Sequence, residues 1–403
     1  MDKLELLWKN IKLNKCKIAN VDEFIALYIN RSNTDCFLIE GFGMEIINSI
    51  KANESLGHFF NNVFELYNDI NKDDLINDTF EFINALIENN ILKFNITSSP
   101  FVIERHNSSC EESEYIQNSH IVQNYYLQNK LPYKVFLEIT YKCNLDCEHC
   151  YLGDEKFIDK GTVPIDRLKS LVDEFEELGV VELVITGGEI GLYSHLIELL
   201  NYTKDKNILV TLLTNGTCFT ESQIRNILDS GIHDIRVSVY GFEDFHDKFV
   251  NLKGSFKKSI ELLKYTRANA NIGSASCVIT KENINDIKKL KNYLEQFNIP
   301  INITPVIFPT IYGDKKPLEL RLNRYELKEI VNELNLRVGG SICTAGISRF
   351  RITPYGDVNP CEMLRHISLG NIKDSSFKEI ISSSNALKWH DQFKDVMNNK
   401  CVG

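Results

Sequence analysis

The sequence predicts an α/β protein built mainly on a partial (β/α)6 barrel, with an α+β unit before it and a small unit after it. Three observations carry that fold class. Six apolar, β-rich runs follow one another between residues 134 and 307, and a helical stretch separates each from the next. The runs are near-continuously apolar rather than alternating, as strands buried on both faces of a parallel sheet are. Hydrophobic residues make up 43% of the 403 residues and charged residues 25%, a balance that supports a packed core and excludes disordered or low-complexity chains.

At about 150 residues per domain, this length predicts two or three domains. Residues 1–95 read as an α+β unit. Strands are expected at 13–18, 22–30 and 35–40, rich in β-branched and aromatic residues and separated by polar turns. Three helical patterns follow. Residues 43–51 carry Met44, Ile46, Ile47 and Ile50; residues 58–67 carry Phe59, Phe60, Val63, Phe64 and Tyr67 as helix-face core; residues 73–89 carry Leu75, Ile76, Phe80, Phe82, Ile83 and Ile87. Asn71 ahead of Asp73 and Asp74 is an N-cap signal, and Asn89-Asn90 a stop. Residues 96–132 lose periodicity and become polar and acidic at 107–120, so they read as a linker.

The barrel is assigned to residues 133–320. Its strands are expected at 135–140, 181–186, 208–214, 234–240, 274–280 and 301–307, with helices near 164–178, 193–204, 220–230, 254–269 and 283–298. Right-handed crossovers curl such a set, and six units leave it open; sites on this architecture gather at the C-terminal ends of the strands. Residues 321–403 begin with a helix at 324–336 and continue in loops and short strands. No internal repeat is found.

The net charge of −10 opposes phosphate backbones and argues against nucleic acid as a partner. No run of about 18 apolar residues suggests a membrane span, and the N-terminus lacks a secretory signal pattern, so a cytoplasmic location is expected. A chain of this size needs no disulfides, and in a reducing compartment clustered cysteines point to metal or catalysis. Of eleven cysteines, Cys36, Cys218 and Cys277 lie in or beside apolar runs and read as small buried hydrophobes. Cys143, Cys147 and Cys150 differ: they form C-x3-C-x2-C in the loop after the first barrel strand. Three thiolates cannot close a four-ligand zinc site, and His149 is poorly spaced to share one ion with them. An iron–sulfur cubane held by three cysteines keeps one iron open for a ligand. A zinc knuckle is the alternative.

LEITYKCNLDCEHCY after the first strand resembles the radical S-adenosylmethionine (SAM) superfamily, and the resemblance runs from residue 134 to about 310. It implies a 4Fe–4S cluster on Cys143, Cys147 and Cys150, with SAM on the open iron. It further implies one-electron cleavage of SAM to methionine and a 5′-deoxyadenosyl radical that abstracts a substrate hydrogen. Gly187-Gly188-Glu189 stands where the family's GGE motif grips the SAM ammonium; glycines allow close backbone approach and a carboxylate pairs with the cation. His149, Asn215, Ser238 and Tyr240 are the other cofactor-contact positions implied, although many relatives carry Asp where this chain has Tyr240. No catalytic acid or base is assigned.

The C-terminal unit resembles the SPASM/twitch extension. Cys343, Gly356 and Cys361 give C-x12-G-x4-C, and Cys401 stands where the family opens a C-x2-C pair, implying at least one auxiliary iron–sulfur cluster. The chain stops before that pair's second cysteine, so a longer native chain with further ligands is expected; three unrelated cysteines are the alternative. The N-terminal unit is similar to the winged-helix-like, PqqD-like peptide recognition element, implying a precursor-peptide leader added as a strand to its sheet. Its acidic third helix counts against a DNA-binding reading. The resemblance implies a peptide maturase fed by a donor such as flavodoxin or ferredoxin and forming a cross-link, with a thioether expected. The alternatives are carbon–carbon cross-linking, epimerisation, sulfatase-type maturation, and a non-enzymatic metal-dependent regulator. His246 with Asp244 and Asp247 reads either as proton-transfer groups or as a solvated loop. Arg349 and Arg351 read as a carboxylate site or a surface pair.

Overall fold

The computed structural model describes Leu4, Trp8 and residues 11–13, 16–20, 25–30, 36–40, 42–66, 71–88, 91–94, 123, 125–158, 160–334, 336 and 343–399. The chain forms two compact units, Met1–Tyr125 and Tyr126–Gly403.

In the first unit, strands β1 (Ile11–Leu13), β2 (Cys16–Asn20), β3 (Ile25–Asn30) and β4 (Cys36–Glu40) precede helices α1 (Phe42–Lys51), α2 (Leu56–Leu66) and α3 (Lys72–Glu88), followed by β5 (Leu92–Phe94). β2, β3 and β4 form an antiparallel meander, while β1 pairs with β5. The helices pack the apolar faces expected of them: Ile46, Ile47, Phe59, Phe60 and Ile83 are buried in one cluster with Leu4 and Trp8. Trp8 satisfies its indole N–H on the Glu54 carbonyl at 2.9 Å and packs its ring on Phe59.

The second unit starts within the stretch expected to be a linker. Tyr126 is buried, its hydroxyl donates to the Gly179 carbonyl at 2.7 Å, and its ring meets Tyr133 edge-on. Six parallel strands follow in order of sequence: β6 (Lys134–Thr140), β7 (Glu182–Gly187), β8 (Leu209–Thr214), β9 (Asp234–Ser238), β10 (Ser274–Val278) and β11 (Ile301–Thr304). The helices between them are α4 (Ile165–Glu177), α5 (Leu196–Thr203), α6 (Glu221–Asp229), α7 (Glu243–Phe249), α8 (Ser255–Ala270) and α9 (Ile284–Glu295). Val135, Leu137, Leu183, Ile185, Leu212, Ile235 and Val237 from the strands share one core with Leu171, Phe175, Leu199 and Leu263 from the helices. This is the open (β/α)6 barrel.

Three strands stop short of their expected ends because side chains take over the ladder's hydrogen bonds or the chain lacks a donor. The Tyr240 N–H donates to His246 Nδ1 at 3.1 Å, and the Thr280 N–H to Asn283 Oδ1 at 2.7 Å. After Thr304, Pro305 has no N–H to continue the sheet.

The C-terminal segment extends the same sheet. After α10 (Arg324–Glu333), β12 (Arg349–Ile352) lies parallel to β6, opposite the β7 edge, and β13 (Asp357–Asn359) and β14 (Gly370–Asn371) add antiparallel to it. Helices α11 (Phe377–Ile381) and α12 (Ser384–Asn399) follow; Phe377 is wedged between Phe175 and Phe350 at ring separations of 5.2 and 5.4 Å. No helix among the described residues is long and apolar enough to cross a membrane.

Candidate active site at the strand ends

The cysteine loop leaves the C-terminal end of β6, where the parallel strands all terminate. Its entry is clamped by the turn after β7: the Gly188 N–H donates to the Thr140 carbonyl at 2.7 Å and the Glu189 N–H to the Lys142 carbonyl at 2.8 Å. The approach is too close for side chains. A Cβ on Gly187, whose φ is +139°, would lie 2.1 Å from the Thr140 oxygen, and one on Gly188 would lie 2.4 Å from the carbonyl oxygens of Tyr141 and Lys142. From the sequence these glycines are expected to admit a ligand; what they admit here is the backbone leading into Cys143.

Glu189 is fully buried and binds three donors: the Gly191 N–H (2.8 Å), the Thr214 hydroxyl (2.6 Å) and the Asn215 N–H (2.7 Å). Burial pushes its carboxyl pKa up, with those bonds pulling the other way. The carboxylate so ties the end of β7 to the end of β8. Asn215 in turn joins β8 to the cysteine loop. Its Nδ2 donates to Asn144 Oδ1 (2.9 Å), Asn144 Nδ2 donates to Thr217 Oγ1 (2.8 Å), and that hydroxyl returns a bond to Asn215 Oδ1 (2.7 Å). Asn144 and Thr217 were not singled out from the sequence, where an Asn between two cysteines carries no distinct signal.

The far side of the loop rests on α7. The Asp146 and Glu148 N–H groups donate to the Val250 and Phe249 carbonyls (3.1 and 3.2 Å), and Leu145 packs with Tyr240, Phe249 and Ile307. His149 lies against Tyr240 and Phe249, with ring centroids 4.6 and 5.1 Å away. Burial lowers its pKa to about 4, so its ring is neutral, and its Nδ1 has no partner among the described residues. Tyr240 is buried and its hydroxyl is pushed far up, with the Ser238 side chain acting against that shift. His246 corrects both sequence readings. It is a buried member of α7 that holds the Tyr240 N–H, while Asp244 is exposed and Asp247 caps the start of α8 through Gly254, Ser255 and Phe256.

The three thiols are half-buried. Burial raises the Cys143 pKa to about 11 and that of Cys147 well above its ordinary value, and their neighbouring cysteines add to it. Among the described residues no three His, Cys, Asp or Glu side chains gather as the ligands of a single ion. Three soft thiol donors on one loop fit an iron–sulfur cluster, whose irons take one thiolate each and displace the protons that burial retains.

The second cysteine set sits on the β12–β13 hairpin. The Gly346 N–H, three residues after Cys343, donates to the carbonyl of Pro360, the residue before Cys361, at 2.8 Å. Gly356, with φ +97°, makes the hairpin turn. Cys361 is buried and burial raises its pKa, whereas Cys343 is exposed; Cys401 lies outside the described residues. Cys277 is buried as expected and Cys218 half-buried; the side chain of Cys36 lies outside the described residues.

Between the two cysteine segments lies a buried network of which the sequence reading had singled out only Arg351, as a carboxylate site or half of a surface pair. Glu138 of β6 is 2% exposed and pairs with Arg351 of β12, 1% exposed, and with Arg365 at 3.1 Å. It also accepts from the Tyr151 hydroxyl (2.8 Å) and the Tyr141 hydroxyl (2.9 Å), and Arg351 donates to Asn359 (2.8 Å). Burial alone would raise the Glu138 pKa, but the Arg351 and Arg365 guanidiniums and their hydrogen bonds hold it at about 2. Arg351 is therefore a core residue, not one of a surface pair; Arg349 remains half-exposed, bonded to Glu362. The available signal was a glutamate inside the apolar run of β6 and the alternating Arg-Phe-Arg of β12.

Residues 137–294 match the radical SAM superfamily and residues 343–402 the SPASM iron–sulfur cluster-binding domain. The antilisterial bacteriocin subtilosin biosynthesis protein AlbA of Bacillus subtilis (strain 168) is 26% identical over 67% of this chain and 65% of its own length, so the match spans less than two thirds of that relative. An AdoMet-dependent heme synthase of Methanosarcina barkeri is 23% identical over 62% of this chain and 82% of its length. The sporulation killing factor maturation protein SkfB of Bacillus subtilis is 22% identical over 94% of this chain and 90% of its length. Among solved structures, Streptococcus suis SuiB bound to precursor peptide SuiA is similar with a TM-score of 0.61 at 15% identity, covering 93% of this chain and 89% of that one, which shows the fold. The chain thus carries a radical SAM core, with its 4Fe–4S and SAM cofactors, followed by a C-terminal SPASM domain.

Proposed function

We propose that this chain is a radical SAM maturase that modifies a ribosomally made precursor peptide and installs a thioether cross-link in it. The observation that carries the reading is one sheet that bears both a three-thiol loop, clamped by a Gly-Gly-Glu turn, and a cysteine hairpin joined edge to edge with it. AlbA and SkfB, by name a bacteriocin biosynthesis protein and a killing-factor maturation protein, support the substrate class.

When bound at Cys143, Cys147 and Cys150, the cluster and SAM supply the radical that removes a substrate hydrogen. Burial at the strand ends keeps water and stray hydrogen donors away. Glu189 offers the SAM ammonium an enclosed carboxylate with no cation beside it among the described residues. Asn215, Ser238 and Tyr240 line the neighbouring strand ends. Joining a thiol to carbon removes two hydrogens, one as an atom to the radical and one as a proton, and leaves one electron; an acceptor at Cys343 and Cys361 would take it. Residues 1–95 act as a PqqD-like element, with the leader added as a strand beside the β2–β4 meander.

Protein reconstituted without oxygen should absorb near about 400 nm and, given a reductant such as flavodoxin, convert SAM to 5′-deoxyadenosine. With the precursor encoded beside the gene, mass spectrometry should show product lighter by two hydrogens per cross-link. Unchanged peptide mass with active SAM cleavage refutes the cross-link; product from protein lacking residues 1–95 refutes the leader role.

A further inference from the structure

The buried network holds one positive charge more than it needs. Glu138 is the single carboxylate facing Arg351 and Arg365 among the described residues, and the charges around it are already matched: Glu155 with Lys160, Asp146 with Lys156, and Glu362 with Arg349. The two arginines are used differently. Arg351 is enclosed and spends Nε, Nη1 and Nη2 on Glu138, Asn359 and Tyr141. Arg365 spends only Nη1, on the two Glu138 oxygens at 3.1 and 3.5 Å. Its Nε is buried without a partner, and the side-chain hydrogen bonds it makes among the described residues all leave from Nη1. The side chain as a whole keeps 12% exposure, while Nε itself is enclosed.

The Nε–Nη2 edge is a fork of parallel N–H groups that matches a carboxylate bidentately, and a buried donor left empty costs stability unless a ligand fills it. The fork is also held rigid. The guanidinium carbon lies 3.8 Å from the centre of the Tyr151 ring, and that ring's hydroxyl is fixed on Glu138 and lies 3.4 Å from the Gly187 carbonyl. Arg365 is thereby placed between the residue after Cys150 and the loop after Cys361, beside the turn that ends β7.

We propose that Arg365 is a carboxylate-binding residue of this site, taking either the α-carboxylate of SAM or an acidic side chain of the peptide substrate. The inference rests on the function proposed above. Arg351 still pairs with Glu138 when Arg365 is replaced, so Arg365→Gln should fold; Arg365→Lys keeps the charge and removes the fork.

The test measures binding to reconstituted wild type, R365Q and R365K, with matched iron and sulfide content and matched thermal midpoints. One arm compares SAM with decarboxylated SAM; the other compares N-acetyl-aspartyl amide with N-acetyl-asparaginyl amide by saturation-transfer NMR. Loss of one bidentate contact should weaken the carboxylate-bearing probe of one arm about tenfold or more in R365Q, less in R365K, and leave its uncharged counterpart unchanged. The arm that responds identifies the source of the carboxylate. Wild-type affinity of R365Q for both acids overturns the inference alone, whereas wild-type protein that binds neither SAM nor the acid overturns the functional reading with it.

Discussion

The two cysteine-bearing segments hang from neighbouring strands, β6 and β12, yet they are finished to different degrees. The Cys143–Cys150 loop is tied to three other elements: to the turn after β7 through Gly188 and Glu189, to the end of β8 through Asn144, and to α7 through Asp146 and Glu148. All three of its thiols are half-buried. The hairpin segment has a fixed turn and one buried cysteine, but Cys343 is exposed and Cys361 sits in a small cluster of Ala345, Ile347, Leu364 and Trp389. A site formed where several strand ends converge is organised before its cluster arrives, since the ordering is met by contacts the fold makes anyway. A site on the β12–β13 hairpin, away from the convergent strand ends, is tied to fewer elements and depends more on its metal for order.

The sharpest way to break the comparison is Cys147→Ala. It should abolish SAM cleavage altogether and remove the iron and sulfide bound at the loop, while the proposed leader-peptide binding stays at its wild-type value; a 5′-deoxyadenosine assay and anaerobic iron analysis read the first two, and peptide titration the third. Next in size is Glu138→Gln, which leaves Arg351 and Arg365 without a counter-charge in the joint between the segments. Breaking such a buried pair costs about 3–5 kcal/mol, read as a lower denaturation midpoint. Its pH dependence has a definite sign. The Glu138 carboxyl is held at about 2 against an ordinary 4.5, so its contribution is complete above about 4.5 and fades as pH falls toward 2. Wild type should therefore lose stability over that window, and E138Q should lose less.

That joint also marks where the sequence stopped being legible. The six barrel strands, their parallel order and the helices between them followed from apolar runs and spacing, because burial on both faces leaves a pattern that neighbouring residues share. Cys143, Cys147 and Cys150 were legible because thiols crowded into one short loop signal a shared metal group by local spacing alone. The pairing of Glu138 with Arg351 was not: Arg351 was read as a carboxylate site or a surface pair, but the two lie more than two hundred residues apart, and nothing local to either reveals that β12 pairs with β6. His246 misled for a similar reason. Its loop-like, charged surroundings hide a helix whose inner face supports the Tyr240 backbone. The glycines before Glu189 were recognised, but the surface they approach is the cysteine loop's own backbone, which only the tertiary structure brings there.

Smaller effects sharpen the contrast. Asn144→Ala should cost about 1–3 kcal/mol, because Asn215 and Thr217 keep buried groups that have lost their partner, and SAM affinity should fall with the loop's order. Cys343→Ser should do almost the reverse. The residue is exposed, so stability should stay within about 0.5 kcal/mol of wild type, and the first loop should cleave SAM at the wild-type rate. The proposed cross-link would leave one electron with nowhere to go unless an acceptor stands nearby, so on that reading product should disappear while 5′-deoxyadenosine continues to accumulate. Full product from C343S would place that electron elsewhere and reduce the hairpin to a scaffold that braces β6; loss of SAM cleavage as well would mean the two segments are one site rather than two.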